Sequence, residues 1–258
     1  MTDSADKQDP QLEAHPLEGV VLLSEAKWDA QAFIAGMKEV WDFELTPDHQ
    51  DPDAPLVFEF GGSVVAIKLM AEKLDPQVAA SHAAMNPMWK EAGMMAKLHQ
   101  AYVAVLAIPK SCSAMDNAAM IVKVLDVLSR QENAMAVDNG STLLGPDGYR
   151  EGASVMKHGE LPIFNLVTFA IAREDEEKCV GVTMGMTMLG HRELEILPVK
   201  SAPDTVQEFL YTVVEWSLKS GKEVEVGALL GLNPQNRHPV KLAESRLIPG
   251  LETLQIEL

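Results

Sequence analysis

Residues able to do chemistry are sparse in this chain and fall into no standard pattern. The densest group is Gly190-His191-Arg192-Glu193-Leu194-Glu195-Ile196. An imidazole, a guanidinium and two carboxylates two residues apart have the types needed to hold a ligand or a partner's cation. Strand periodicity would put Glu193 and Glu195 on one face. The same charges would also keep an exposed strand edge soluble. His191, Arg192, Glu193 and Glu195 are therefore the candidate binding residues.

Other chemistries are poorly served. The histidines are His15, His49, His82, His99, His158, His191 and His238, and the cysteines are Cys112 and Cys179. No two histidines stand at metal-binding helix spacing, and the cysteines form no CxxC pair, so neither a metal nor a cofactor is expected. The run from Asp48 to Asp53 offers oxygen ligands but lacks the glycine turn and distal glutamate of a calcium loop. Met184, Met186 and Met188 alternate. Thioethers so spaced suit copper(I), but a period of two also fits a strand turning three methionines into a core. Gly181, Gly185 and Gly190 are not spaced as a phosphate cradle and read as strand bends. Cys112 precedes a predicted helix, where the helix dipole lowers a thiol pKa. Paired with His99 or His191 it would make a thiol hydrolase, and the two glutamates offer a second hydrolytic arrangement. No nucleophile elbow is present.

The elements that must position these residues can be read from periodicity. Gly19–Ala26 reads as a buried strand, and Trp28, Phe33, Ile34, Met37 and Trp41 as an amphipathic helix. An acidic loop spans Asp42–Pro55. Gly61–Gly62 separates two β-rich runs, a hairpin signal. Asp75–Pro76 and Asn86–Pro87 each open a helical stretch. Tyr102–Pro109 is nearly all apolar and reads as a central strand buried on both faces. Ser113 and Asp116 have capping-box spacing ahead of the stripe Met120, Ile121, Val124, Leu125, Leu128. Residues 134–149 read as a short strand and turns. Two strands flank the tip Asp175–Glu177, a third follows at Leu194–Val199, and a helix carries Val206, Phe209, Leu210 and Val213 up to Gly221. A last strand is expected in Val224–Leu232.

Hairpins mixed with helices predict an α+β fold. Its sheet is mostly antiparallel or mixed, covered by amphipathic helices, with two ferredoxin-like halves side by side. The organisation expected is a disordered leader over 1–16 and one domain over 17–232, with halves at 17–110 and 111–232. A tail packed on the surface completes it over 233–258.

Composition sets the outer bounds. The chain has 258 residues and a formal charge of −17, with 47% hydrophobic and 23% charged residues. That is enough apolar sequence for a sizeable core. The acidity disfavours nucleic acid and anionic lipid and suits high solubility or a basic protein partner. The polar start is not a signal peptide, and no apolar run is long enough to span a bilayer. Cysteine usage fits a reducing compartment, so the expected location is the cytoplasm. Oligomeric state is not encoded in any legible feature.

One stretch resembles a known family. Leu161–Pro162, Thr183, Gly185, Met186, Leu189, Gly190, Glu193, Leu194 and Glu195 are similar to the motif of a bacterial domain of unknown function, number four-two-six-one. The segment with His99, Ala101, Tyr102 and Val103 resembles that family's helix-to-strand passage. Two departures are visible: proline is usual where Arg192 stands, and an aromatic-rich strand where Ala136–Asp138 stands. The resemblance is expected to span 17–232 and implies a shared fold without an established reaction. The function expected is a non-enzymatic protein-binding module, either toxin-neutralising (immunity-type) or secretion-associated. The alternatives are a hydrolase with a site not recognisable as a motif, or a structural subunit that pairs an edge strand with its own copy.

Overall fold

The computed structural model describes residues 15–46, 54–233 and 236–258. The leader expected over 1–16 lies almost wholly outside these residues, as does the acidic stretch 47–53.

Two six-stranded sheets carry the chain. The first has the order β2-β3-β4-β1-β5-β6, from β1 (Leu17–Leu23), β2 (Leu56–Phe60), β3 (Ser63–Met70), β4 (Ala101–Pro109), β5 (Ala134–Asp138) and β6 (Leu143–Leu144). All its pairings are antiparallel. Helices α1 (Ala30–Trp41) and α4 (Ala114–Leu128) connect its strands. With β2 set aside, β1-α1-β3-β4-α4-β5 has the strand order β3-β4-β1-β5. That is the split βαβ arrangement of a ferredoxin-like unit. Between β3 and β4 stands a helical hairpin, α2 (Pro76–Ala84) and α3 (Ala92–Leu98).

The second sheet has the order β10-β11-β12-β9-β8-β7. Its strands are β7 (Thr168–Arg173), β8 (Cys179–Met184), β9 (Leu194–Val199), β10 (Leu229–Asn233), β11 (Asn236–Glu244) and β12 (Glu252–Ile256). Two antiparallel meanders meet at one parallel pair, β9 with β12 (Leu194–Leu254 to Ile196–Ile256). Helix α7 (Pro203–Ser220) makes the crossover between them. Only the first half is therefore ferredoxin-like. The expected α+β class with antiparallel and mixed sheets is what the chain adopts.

Three local expectations change. The segment after Asn233 is not a surface tail: β12 pairs with β9 in the middle of the sheet, and Leu254 and Ile256 are core residues. The apolar alternation of Leu254 and Ile256 is ordinary strand pattern. The boundary between halves falls between Leu144 and Thr168 rather than near residue 110, because β5 returns to pair with β1. Pro146–Gly148 is no turn but the start of α5 (Pro146–Ser154), with Gly145 as N-cap and proline in the first turn.

Asp75 caps α2 as expected, with Pro76 in its first turn, whereas Asn86–Pro87 opens no helix and α3 begins only at Ala92. The Ser113–Asp116 capping box is formed, each side chain bonding the other's amide. Ser201 and Asp204 also have capping-box spacing, but Ala202 stands at the N-cap of α7, without a side-chain bond. Strand β4, expected to be buried on both faces, is buried only on its odd face (Ala101, Val103, Val105, Ala107); the other is half-buried, with Ile108 exposed. One contiguous apolar core spans both sheets and takes in α1, α4 and α7; a smaller one joins α2–α3 to Leu22, Ala136 and Leu143.

Candidate functional site

The four sequence-derived site residues are all held by protein partners. Glu193, 2% exposed, receives four hydrogen bonds. The Gly185 amide (2.9 Å), Thr187 amide (3.1 Å) and Thr187 hydroxyl (3.2 Å) donate to Oε1, and the Thr183 hydroxyl (2.7 Å) donates to Oε2. Glu195, 1% exposed, accepts from the Arg246 amide (3.0 Å) and the Thr253 hydroxyl (2.8 Å). His191 Nδ1 lies 3.2 Å from the Ser217 hydroxyl, and Arg192 pairs with Glu223 at 3.0 Å. His191 and Arg192 thus fasten the turn before β9 to the C-terminal end of α7. The two glutamates anchor separate turns, 185–187 and 245–251. Burial holds the Glu193 carboxyl above its usual range against the pull of its donors, and holds the His191 imidazole below its own.

These two turns have a common consequence. They form one wall of a cavity of about 510 Å³ at the seam between the sheets. Met184, Gly185, Thr187, Met188, Leu189 and Glu193 come from the first turn, Ile248 and Leu251 from the second. Strand β1 contributes Leu17 and Glu18, α4 contributes Ile121 and Leu125, and the loop Asn139–Ser141 closes one side. That loop is fixed to the second half: Asn139 Nδ2 donates to the Asn165 carbonyl (3.1 Å), and the Ser141 and Thr168 hydroxyls stand 2.7 Å apart. Tyr149 and Asn165 line the cavity too. The Tyr149 hydroxyl and the Asn165 side-chain oxygen are buried there without a hydrogen-bond partner. Burial pushes the Tyr149 phenol far up, with Asp126 adding to it.

The methionine triplet does not share one face. Strand β8 ends at Met184, and Gly185 (φ +115°) turns the chain into a short 3-10 turn. Met186 goes into the core, while Met184 and Met188 line the cavity. A Cβ on Gly185 would stand 2.3 Å from the Leu166 carbonyl oxygen, so the bend requires glycine.

The thiol arrangements are not assembled around Cys112. Its sulfur lies 3.2 Å from the Ser63 hydroxyl, and Cys179 is buried in the core; both are free. His99 sits before β4 and Cys112 after it, so a nine-residue strand, roughly 27 Å long, separates them. His99 is buried and uses Nε2 to accept the Leu74 amide, at 3.0 Å. His191 is occupied by Ser217, as above. Among the described residues no three His, Cys, Asp or Glu side chains converge as a metal centre requires.

A second feature has the opposite character. The α2–α3 hairpin packs inward through alanines (Ala79, Ala83, Ala92, Ala96) with Trp89 and Met95 beside them, and leaves several other large side chains outside. Met88 is 86% exposed, Leu98 53% and Met94 49%, with Val78 and Met85 also exposed. Between the helices runs an alanine-walled groove of about 540 Å³ (Ala80, Ala83, Ala84, Gly93, Ala96), with Lys73 and Lys97 among its lining residues. A Cβ on Gly93 would meet nothing within 4 Å. The signal was present in the sequence as helical spacing with small residues on one side and Met and Leu on the other. Asn139, Ser141, Tyr149 and Asn165 carried no such signal, because they converge from a loop and two short helices.

The architecture defines an α+β protein of two six-stranded sheets sharing one core. Residues 182–257, from within β8 to just past β12, match the family model described as domain of unknown function (DUF4261). The motif from Thr183 to Glu195 lies in this stretch, whereas the upstream likeness around His99–Val103 lies outside it. No curated protein and no solved structure matches the chain.

Proposed function

We propose that this protein is a non-catalytic protein-binding module that engages its partner through the α2–α3 hairpin. The observation that carries this reading is the inverted hairpin. Large apolar side chains exposed along one hairpin (Val78, Met85, Met88, Met94 and Leu98) cost solvation and mark interaction sites. Flexible methionines suit a surface that must adapt to a partner. The groove accepts apolar side chains in the manner of a helix laid between two helices. The formal charge of −17 favours a basic partner. Two separate free thiols suit a cytoplasmic setting, and among the described residues no helix is long and apolar enough to cross a membrane. An immunity-type role would make the partner a toxin; a secretion-associated role would make it an export component.

The test is affinity capture from a native lysate with the whole chain as bait, beside a Met88→Glu/Met94→Glu variant. A basic protein retained by the parent, released by salt and lost with the variant is the expected result. Mass identification then separates toxin from export component. Capture that is indifferent to both substitutions would overturn the hairpin as the docking site. Self-association seen in sedimentation and abolished by the same variant would replace the partner with a second copy.

A further inference from the structure

We infer that the seam cavity between the two sheets is a binding site for a small organic amine, an ammonium head carried on an apolar body. This does not rest on the hairpin reading. Its volume of about 510 Å³ lies in the range of small-ligand pockets, which favour the junctions between structural units. Its walls are chiefly apolar, from Leu166, Met184, Met188, Ile248 and Leu251. Its charged lining is of one sign: Glu193 on the wall, Glu18 exposed beside it, and among the described residues that line it no lysine, arginine or histidine.

Glu193 is the decisive group. Buried carboxylates are normally matched by a cation, because hydrogen bonds alone only partly replace lost hydration. Glu195 and Glu193 are both buried, but only Glu193 faces a cavity. Its four donors are neutral amides and hydroxyls, and its carboxyl is pushed upward by burial with no cation acting on it. An ammonium group entering the cavity supplies the missing charge, and the Met and Leu walls cover its apolar body. Anions are rejected by the same field, and a neutral alcohol gains the walls without the ion pair.

The test measures binding of n-hexylammonium, n-hexanoate and hexan-1-ol to the whole chain by saturation-transfer NMR and thermal shift. Hexylammonium is expected to bind, the alcohol more weakly, and hexanoate not at all. Glu193→Gln preserves side-chain shape and should weaken hexylammonium by about tenfold or more. Met188→Trp, at a partly exposed wall position, fills the space and should abolish binding with Glu193 intact. The second variant keeps the test decisive if the first does not fold. Equal binding of hexanoate, hexylammonium binding undisturbed by Met188→Trp, or no binding by any probe would overturn the assignment.

Discussion

At the scale of single residues, Glu193 is the most consequential side chain. It holds the 185–187 turn through three donors and reaches Thr183 with its other oxygen. Removing it by Glu193→Ala leaves two amides and two hydroxyls without this acceptor, and should cost about 3 kcal/mol in denaturant unfolding. Glu193→Gln should behave differently with pH. Burial raises the folded-state pKa of Glu193 above the ordinary 4.5, so the folded chain holds that proton more tightly than the unfolded chain. The associated penalty is fully present above the raised pKa and is relieved as pH falls toward 4.5. The parent should therefore gain stability relative to Glu193→Gln over that descent. Asp126 is shifted in the same direction by burial, against Arg130 and Trp41, so the comparison must be parent minus variant at each pH. A constant difference from pH 7 down to 4.5 would count against a buried, uncompensated carboxylate.

At the scale of elements, two glycines set how β8 meets its neighbours. A Cβ on Gly181 would press on Ile171, Val206 and Leu210 at 2.7–3.1 Å, where α7 crosses the sheet. Those atoms are side-chain ends that can shift, so Gly181→Ala should cost about 1–2 kcal/mol. Gly185→Ala meets backbone instead, at a φ of +115°, and should cost about 3 kcal/mol or more. Thermal or urea unfolding of the two variants checks the order; Gly181→Ala as the more harmful change would contradict it. The elements themselves were largely legible. Helix α4 was visible in its stripe and capping box, and the β7–β8 hairpin in its charged tip. Helix α5 was hidden because Pro-Asp-Gly serves equally as a turn or a first helical turn. Only the packing of Tyr149 and Ala153 into the core selects the helix.

At the scale of the whole molecule, the C-terminal strand decides whether the second sheet exists. β12 is the link between the meander β7-β8-β9 and the pair β10-β11. Truncation after Ser245 would remove β12, the 245–251 turn and the Thr253 and Arg246 contacts of Glu195. The truncated chain should lose cooperative unfolding of its second half, seen as a protease-sensitive segment beyond Thr168 and dye binding to exposed core. Retention of the full transition would mean that β9 does not need its parallel neighbour.

The amino-acid sequence by itself determined the α+β class, most helices and strands, the net negative charge and the family-like stretch around Thr183–Glu195, since these follow from local periodicity, capping and composition. Tertiary structure alone decided that Glu193 and Glu195 would bind their own chain's turns, that Cys112 and His99 would stand a strand apart, and that Tyr149, Asn165 and Met188 would share a cavity. It also turned an expected surface tail into a central strand. The physical reason is common to all of these. Local signals fix backbone conformation, whereas pairing partners and cavity walls depend on which distant segments reach the same place, as β12 reaches β9 across about 60 residues.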